Sequence, residues 1–158
     1  MPHYSVLTAI ITVLLFNNEN DIMLMLSAPQ RDLVRDKGTK VGRMLIGLLF
    51  FASGLSMLLM QGPEATALYF ASLGIPVAGL VVWLVMGVKI LGGLAIILGY
   101  RVGLASAALI LFTVSATVAA HRDFADPNLF KNLAIVGGLL YLVAYGPGGT
   151  NTEKLSYK

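Results

Sequence analysis

The residue best placed to do chemistry is a cation inside the most apolar stretch of the chain. Lys89 is the single charge in the 22 residues 77–98. It lies ten residues before Gly99 and thirteen after Pro76, so in a helix it is roughly 15–20 Å from either end. Its stem spans far less than that, and snorkelling to an interface would be strained. A charged lysine at mid-membrane depth costs roughly 2.5–3.5 kcal/mol on insertion scales, which makes such a group a functional candidate by default. Counting helical rise along the other apolar runs puts Ser53, Thr113 and Tyr141 at a similar depth. No Asp or Glu lies in any of these runs, so this chain offers Lys89 no buried ion pair. Two chemistries follow. Lys89 is carried as a neutral amine bonded to hydroxyls and carbonyls, or it faces a wet cavity, a bound anion or a partner subunit's carboxylate.

A second polar group collects in the loop after the third apolar run: His121, Asp123, Asp126, Lys131 and Asn132. Glu64 and Tyr69 come from another segment expected on the same side. His121 is the type of residue that handles protons or ligates, although the plainer reading is a loop histidine bonded near the lipid headgroups. One imidazole does not make a metal site: HxxH spacing is absent and the chain has no cysteine, so no metal is expected. His3 is the one other histidine and gives no support for haem held by two axial imidazoles. Lys131 fits an interfacial anchor better than a catalytic amine. The chain has no glycine-rich phosphate loop and no Ser-His-Asp arrangement.

The elements that must position these residues are membrane spans. Twenty residues of helix cross a hydrocarbon core of about 30 Å, and residues 75–100 exceed that. The first span reads as residues 41–60, opened by Arg43 and broken by Gln61-Gly62-Pro63. Residues 64–73 have helical apolar spacing but are too few to cross, which predicts a short interfacial helix ending at Gly74. Pro76 is expected near the first helical position of the second span, where a missing N–H costs nothing. That span ends at Gly99, and Tyr100-Arg101 turns into a third span, residues 103–120. The fourth runs over 129–145 and stops at Gly146-Pro147-Gly148-Gly149. The fold class is therefore all-α: a membrane four-helix bundle with a short interfacial helix between helices 1 and 2.

Small residues fit helix contact. Gly92-Gly93, Gly137-Gly138, Gly103-x-x-x-Ala107 and Ala116-x-x-x-Ala120 allow close backbone approach. Trp83, Tyr69, Tyr100 and Tyr145 fit interface anchoring. A weak likeness between residues 90–100 and 135–145, sharing Ile, Gly, Gly, Leu and Tyr in register, is compatible with a duplicated helix pair.

Domain organisation follows. Residues 1–40 form a cytoplasmic N-terminal segment, of which 1–22 read as a spurious or loosely ordered extension or as a helix along the membrane surface. The 13 apolar residues 4–16 have no basic stretch before them and no small-residue cleavage pattern after them, so a signal peptide is not expected. Residues 41–150 are the four-span domain, and 151–158 a polar cytoplasmic tail. Only 12% of residues are charged, against about 25% in soluble domains. The net charge of +3 does not point to nucleic acid, because five of eleven basic residues (Arg31, Arg35, Lys37, Lys40, Arg43) gather just before the first span. Eight basic residues fall on the side of both termini and two on the other. The positive-inside rule then puts both termini in the cytoplasm.

Six short patterns occur in order: Arg43 opening the run to Leu55, Leu73-Gly-Ile-Pro76, the Gly92-Gly93-Leu run to Gly99, His121-x-x-Phe124, the Lys131-Asn-Leu run to Gly138, and Gly146-Pro-Gly148. Together they resemble the DoxX family of small bacterial four-helix membrane proteins. Two positions depart from the family pattern. Met57 stands where members usually carry a lysine, and Lys89 where a glutamate commonly precedes the Gly-Gly pair. The resemblance implies a bacterial inner-membrane protein linked to membrane redox systems, as a non-catalytic subunit or accessory of quinone-associated oxidoreductases. The competing expectation is a binding protein or enzyme for a lipophilic molecule, a quinone or lipid, with Lys89, Tyr141 and His121 as polar contacts. A small transporter ranks third, since a buried base without an acid makes a poor proton relay. Quinone is the one cofactor the resemblance suggests. The partners expected are the lipid bilayer and oxidoreductase subunits, with a homo-oligomer left open.

Overall fold

In the computed structural model the described residues are 28–121 and 123–148, with side chains from residue 36 onward. The readings placed on residues 1–22, on His3, on the Arg122 side chain and on the tail 151–158 lie outside them. Helix α1 runs Ala28–Ser56 and passes into a π-helical turn, Met57–Gln61. It is followed by α2 (Pro63–Ser72), α3 (Ala78–Leu98), α4 (Val102–Ala120) and α5 (Pro127–Tyr145). Among the described residues four helices are long and apolar enough to cross a membrane: residues 36–61, α3, α4 and α5. Nineteen residues, the length of α4 and of α5, rise about 28 Å, close to the hydrocarbon thickness. The expected fold class holds, short α2 included.

Three boundaries differ from expectation. The first helix begins well before residue 41: Pro29 stands in its first turn, where a missing N–H costs nothing, and no proline follows before the span, so the charged stretch continues the same helix out of the bilayer. Its last turn widens to π geometry, a local insertion that keeps Met57 buried while Leu59 and Met60 face outward. Pro76 is not at the start of α3. It stands in the turn before it, and Val77 between them adopts a left-handed conformation (φ +51°) that no helical residue takes. The other end is as expected: Gly99 closes α3 at φ +76°, the conformation glycine reaches without penalty.

Each spanning helix turns one stripe inward. The buried positions are 47, 50, 54 and 57 before α2, Val82, Met86, Lys89, Gly93 and Ile96 on α3, and Val102, Ser106, Leu109 and Thr113 on α4. Alternating steps of three and four mark a helix face packed on neighbours. α1 packs on α3, α3 on α4, and α4 on α5, while α5 meets α1 only sparsely. The closest crossing is α1 on α3: a Cβ at Gly93 would lie 2.5 Å from the Phe51 backbone nitrogen and 2.7 Å from the Gly47 oxygen. Glycine on both sides lets the backbones touch.

The buried core has two apolar layers. Phe50, Ile96, Val102, Leu109, Leu139 and Leu142 form one, and Met57, Val82 and Met86 the other. Large apolar side chains cover the outside, among them Leu84, Leu91, Leu111 and Leu140. A soluble protein would bury such surface; here it faces lipid.

Candidate functional site

Lys89 sits on the inward stripe of α3, between the two apolar layers, and is 8% exposed. Its Nζ donates to Ser53 Oγ at 2.6 Å and reaches Met57 Sδ at 3.2 Å. Ser53 and Met57 are one helical turn apart on the first span, so a single face supplies both. The third partner is the Phe112 ring of α4, whose centroid is 5.5 Å from Nζ, within cation–π range. Phe112 is itself set edge-on to Phe50, at 6.4 Å and 79°. Gly54 explains the short approach, since a Cβ there would lie 3.0 Å from Lys89 Cβ. Three helices therefore converge on the amine, and no carboxylate lies among its partners.

Ser53 is the one expected depth-mate that meets Lys89. Thr113 spends its hydroxyl on its own helix, donating to the Leu109 carbonyl at 2.7 Å. Tyr141 stands one turn from the end of α5, half exposed, with its ring 4.6 Å from that of Tyr145. Counting rise along a sequence fixes depth only after the helix ends are known. Met57 and Phe112 were missed as partners. Met57 carried a signal, lying four residues after Ser53 and being one of the two departures from the family pattern. Those two departures, Met57 and Lys89, are in contact.

The second cluster assembles around α5's N-terminus. Asp126 caps it, its Oδ1 accepting from the Asn128 backbone N–H at 2.8 Å and from Asn128 Nδ2 at 2.9 Å. Its Oδ2 lies 2.5 Å from His121 Nδ1. The cap hydrogen bond from the Asn128 N–H, then the bond to His121, hold the Asp126 carboxyl below its usual value of 3.8. Lys131 Nζ donates to Asn128 Oδ1 at 2.7 Å, and Asn132 Nδ2 donates to Thr117 Oγ1 at 2.9 Å, tying α5 to α4. Asp123 closes the loop on the Ala125 N–H. This is capping chemistry. No group of three or more His, Cys, Asp or Glu that could hold a metal lies among the described residues. Glu64 lies elsewhere, in a groove of about 530 Å³ with Gly79 and Trp83.

The opposite end is basic. Arg43 Nη1 donates to the Pro147 carbonyl at 3.1 Å, and its guanidinium lies against Gly99, where a Cβ would come within 2.6 Å. A cation thus sits beside the carbonyl ends of α3 and α5, where helix dipoles favour it. The start of the first span and the end of the last therefore share one face of the bundle.

An antiparallel bundle of four lipid-length helices, apolar outside and holding one amine in its core, is an integral membrane protein. The comparisons with known proteins name its kind. The DoxX family model matches residues 38–122, more than half of the chain, and the chain belongs to the DoxX family. It is 31% identical to the inner membrane protein YqjF of Escherichia coli K12, over 79% of this chain and 96% of that one. It is 27% identical to the inner membrane protein YphA of the same organism, over 72% and 86%. No solved structure matches.

Proposed function

We propose that this chain is a non-catalytic subunit or accessory of a quinone-linked redox system in the bacterial inner membrane, with both termini in the cytoplasm. The observation that carries the non-catalytic part is the environment of Lys89. Its amine is already partnered by Ser53, Met57 and Phe112, and it lines neither the groove beside Glu64 nor the one between α1 and α5. A general acid or base needs open reach to a substrate atom, and a proton relay needs an acid to exchange with. The inward Lys89 serves instead to lock α1, α3 and α4 in one register. The redox link rests on family membership and on the belt of lipid-facing leucines, which offers wide lateral surface to another membrane subunit. Purification of the tagged chain from native membranes in mild detergent tests it. A stoichiometric oxidoreductase subunit is expected; recovery of the chain alone overturns the accessory reading.

A second reading, a binding protein for a quinone or lipid, is favoured by one observation: a groove of about 380 Å³ between α1 and α5 that includes Tyr141. Mass spectrometry of lipophilic molecules retained by the purified protein separates the two.

A further inference from the structure

The α1–α5 seam is where the bundle closes least. Gly38, Gly42, Arg43 and Ile46 line it from α1, and Gly138 and Tyr141 from α5. A Cβ at Gly38 or Gly42 would meet nothing within 4 Å, so this wall is bare backbone beside open space. Toward the middle of the bilayer the groove is hydrocarbon, Ile46 with Leu142. At the other end stands Arg43, level with the last residues of α3 and α5 and hence at headgroup depth.

Arg43 has donors to spare. Nη1 is used on Pro147; Nε has no partner but is enclosed by the protein, which leaves Nη2 as the donor for a ligand in the groove. No carboxylate lines the groove. Lys37 and Lys40 follow on the next turns of α1, both exposed, Lys40 only 4.0 Å from Asp36. We propose that this groove is a binding site for an anionic membrane phospholipid, its phosphate on Arg43 and an acyl chain along Ile46 and Gly138. The inference is independent of the quinone-linked reading.

Charge decides between occupants. A guanidinium pairs with phosphate through charge-assisted bonds, and basic groups at this end of a span match an anionic leaflet. A neutral quinone could offer Arg43 a carbonyl acceptor but no counter-charge. A second copy would bring another Arg43-bearing surface of like charge, which opposes association.

Native mass spectrometry of the full-length protein in non-ionic detergent tests it, with phosphatidylglycerol and phosphatidylcholine of identical chains as probes. A preference of about tenfold for phosphatidylglycerol is expected, because the choline cation of phosphatidylcholine cancels its phosphate's charge beside Arg43, Lys37 and Lys40. Gly42→Leu fills open space in a helix, so it should abolish phosphatidylglycerol binding without lowering the melting temperature. Arg43→Gln should erase the preference and Arg43→Lys retain part of it. If Arg43→Gln does not fold, Gly42→Leu decides. Equal binding of the two lipids, or a preference that survives Gly42→Leu, overturns the proposal. So does a dimer that Gly42→Leu dissolves, because a second copy would then occupy the seam.

Discussion

Lys89 Nζ and Ser53 Oγ, 36 residues apart in sequence, are 2.6 Å apart in space, and this bond joins α3 to α1 at the depth where water is scarcest. An ionisable amine placed there without a counter-ion is a cost the bundle carries, so removing the amine and removing its partner should act in opposite directions.

Lys89→Met is expected to hold or raise the melting temperature in detergent, because an apolar side chain of similar length replaces an amine with no counter-ion. Ser53→Ala is expected to lower stability by about 1–3 kcal/mol, the range for a buried polar group left without its partner. In the Lys89→Met background the same change should cost under about 0.5 kcal/mol. A double-mutant cycle on thermal unfolding measures the difference. Additive effects would show that the two side chains do not depend on each other.

Gly93→Ala is expected to disrupt the α1–α3 crossing, at about 3 kcal/mol or more, because its Cβ meets backbone atoms of Phe51 and Gly47 that have no rotamer to yield. Gly87→Ala on the same helix meets nothing within 4 Å and should gain about 0.5–1 kcal/mol from helix propensity. Parallel unfolding curves of the two variants distinguish packing from a general intolerance of the helix.

Ser106 is fully buried and its hydroxyl has no partner. A buried unpaired donor costs about 1–3 kcal/mol, so Ser106→Ala should raise the melting temperature. A lower one would mean that the hydroxyl is bonded, by water or by another molecule.

Asp126 gives the cluster at α5's N-terminus its pH dependence. Its carboxyl titrates below 3.8 in the folded state because the Asn128 N–H and His121 favour the ionised form. Stability from this group is therefore complete above pH 3.8 and is lost as pH falls through the lower folded value. Asp126→Ala should show lower stability at neutral pH and a flatter melting-temperature profile in acid. Thermal unfolding in detergent across this acid range reads both.

The chain has no native cysteine, so single cysteines report topology cleanly. With cytoplasmic termini, Phe124→Cys, at an 81% exposed position, reacts with a membrane-impermeant maleimide in intact cells. Arg101→Cys reacts only after the membrane is opened. The reverse pattern would invert the protein, and equal labelling would break the four-span arrangement.

Membership of the membrane class, the number of spans and the short helix between the first two were all legible in the sequence, for one reason. The length of an apolar run is a property along the chain, and lipid rewards it wherever the helix turns its faces. Pro63, Gly74, Gly99 and Gly146 likewise act through their own backbones, so the breaks they make were readable in place. Contacts are different, because they depend on how each helix is rotated and where it begins. Val77's left-handed turn moved the start of α3 past Pro76, and the π turn reset the end of the first span. Only the packed bundle could decide that Lys89 meets Ser53, Met57 and Phe112 while Thr113 bonds to its own helix and Tyr141 faces the α1–α5 seam. Arg43 shows the same division: its charge marks a membrane boundary from sequence alone, but its place beside Gly99 and Pro147 exists only once three distant segments have come together.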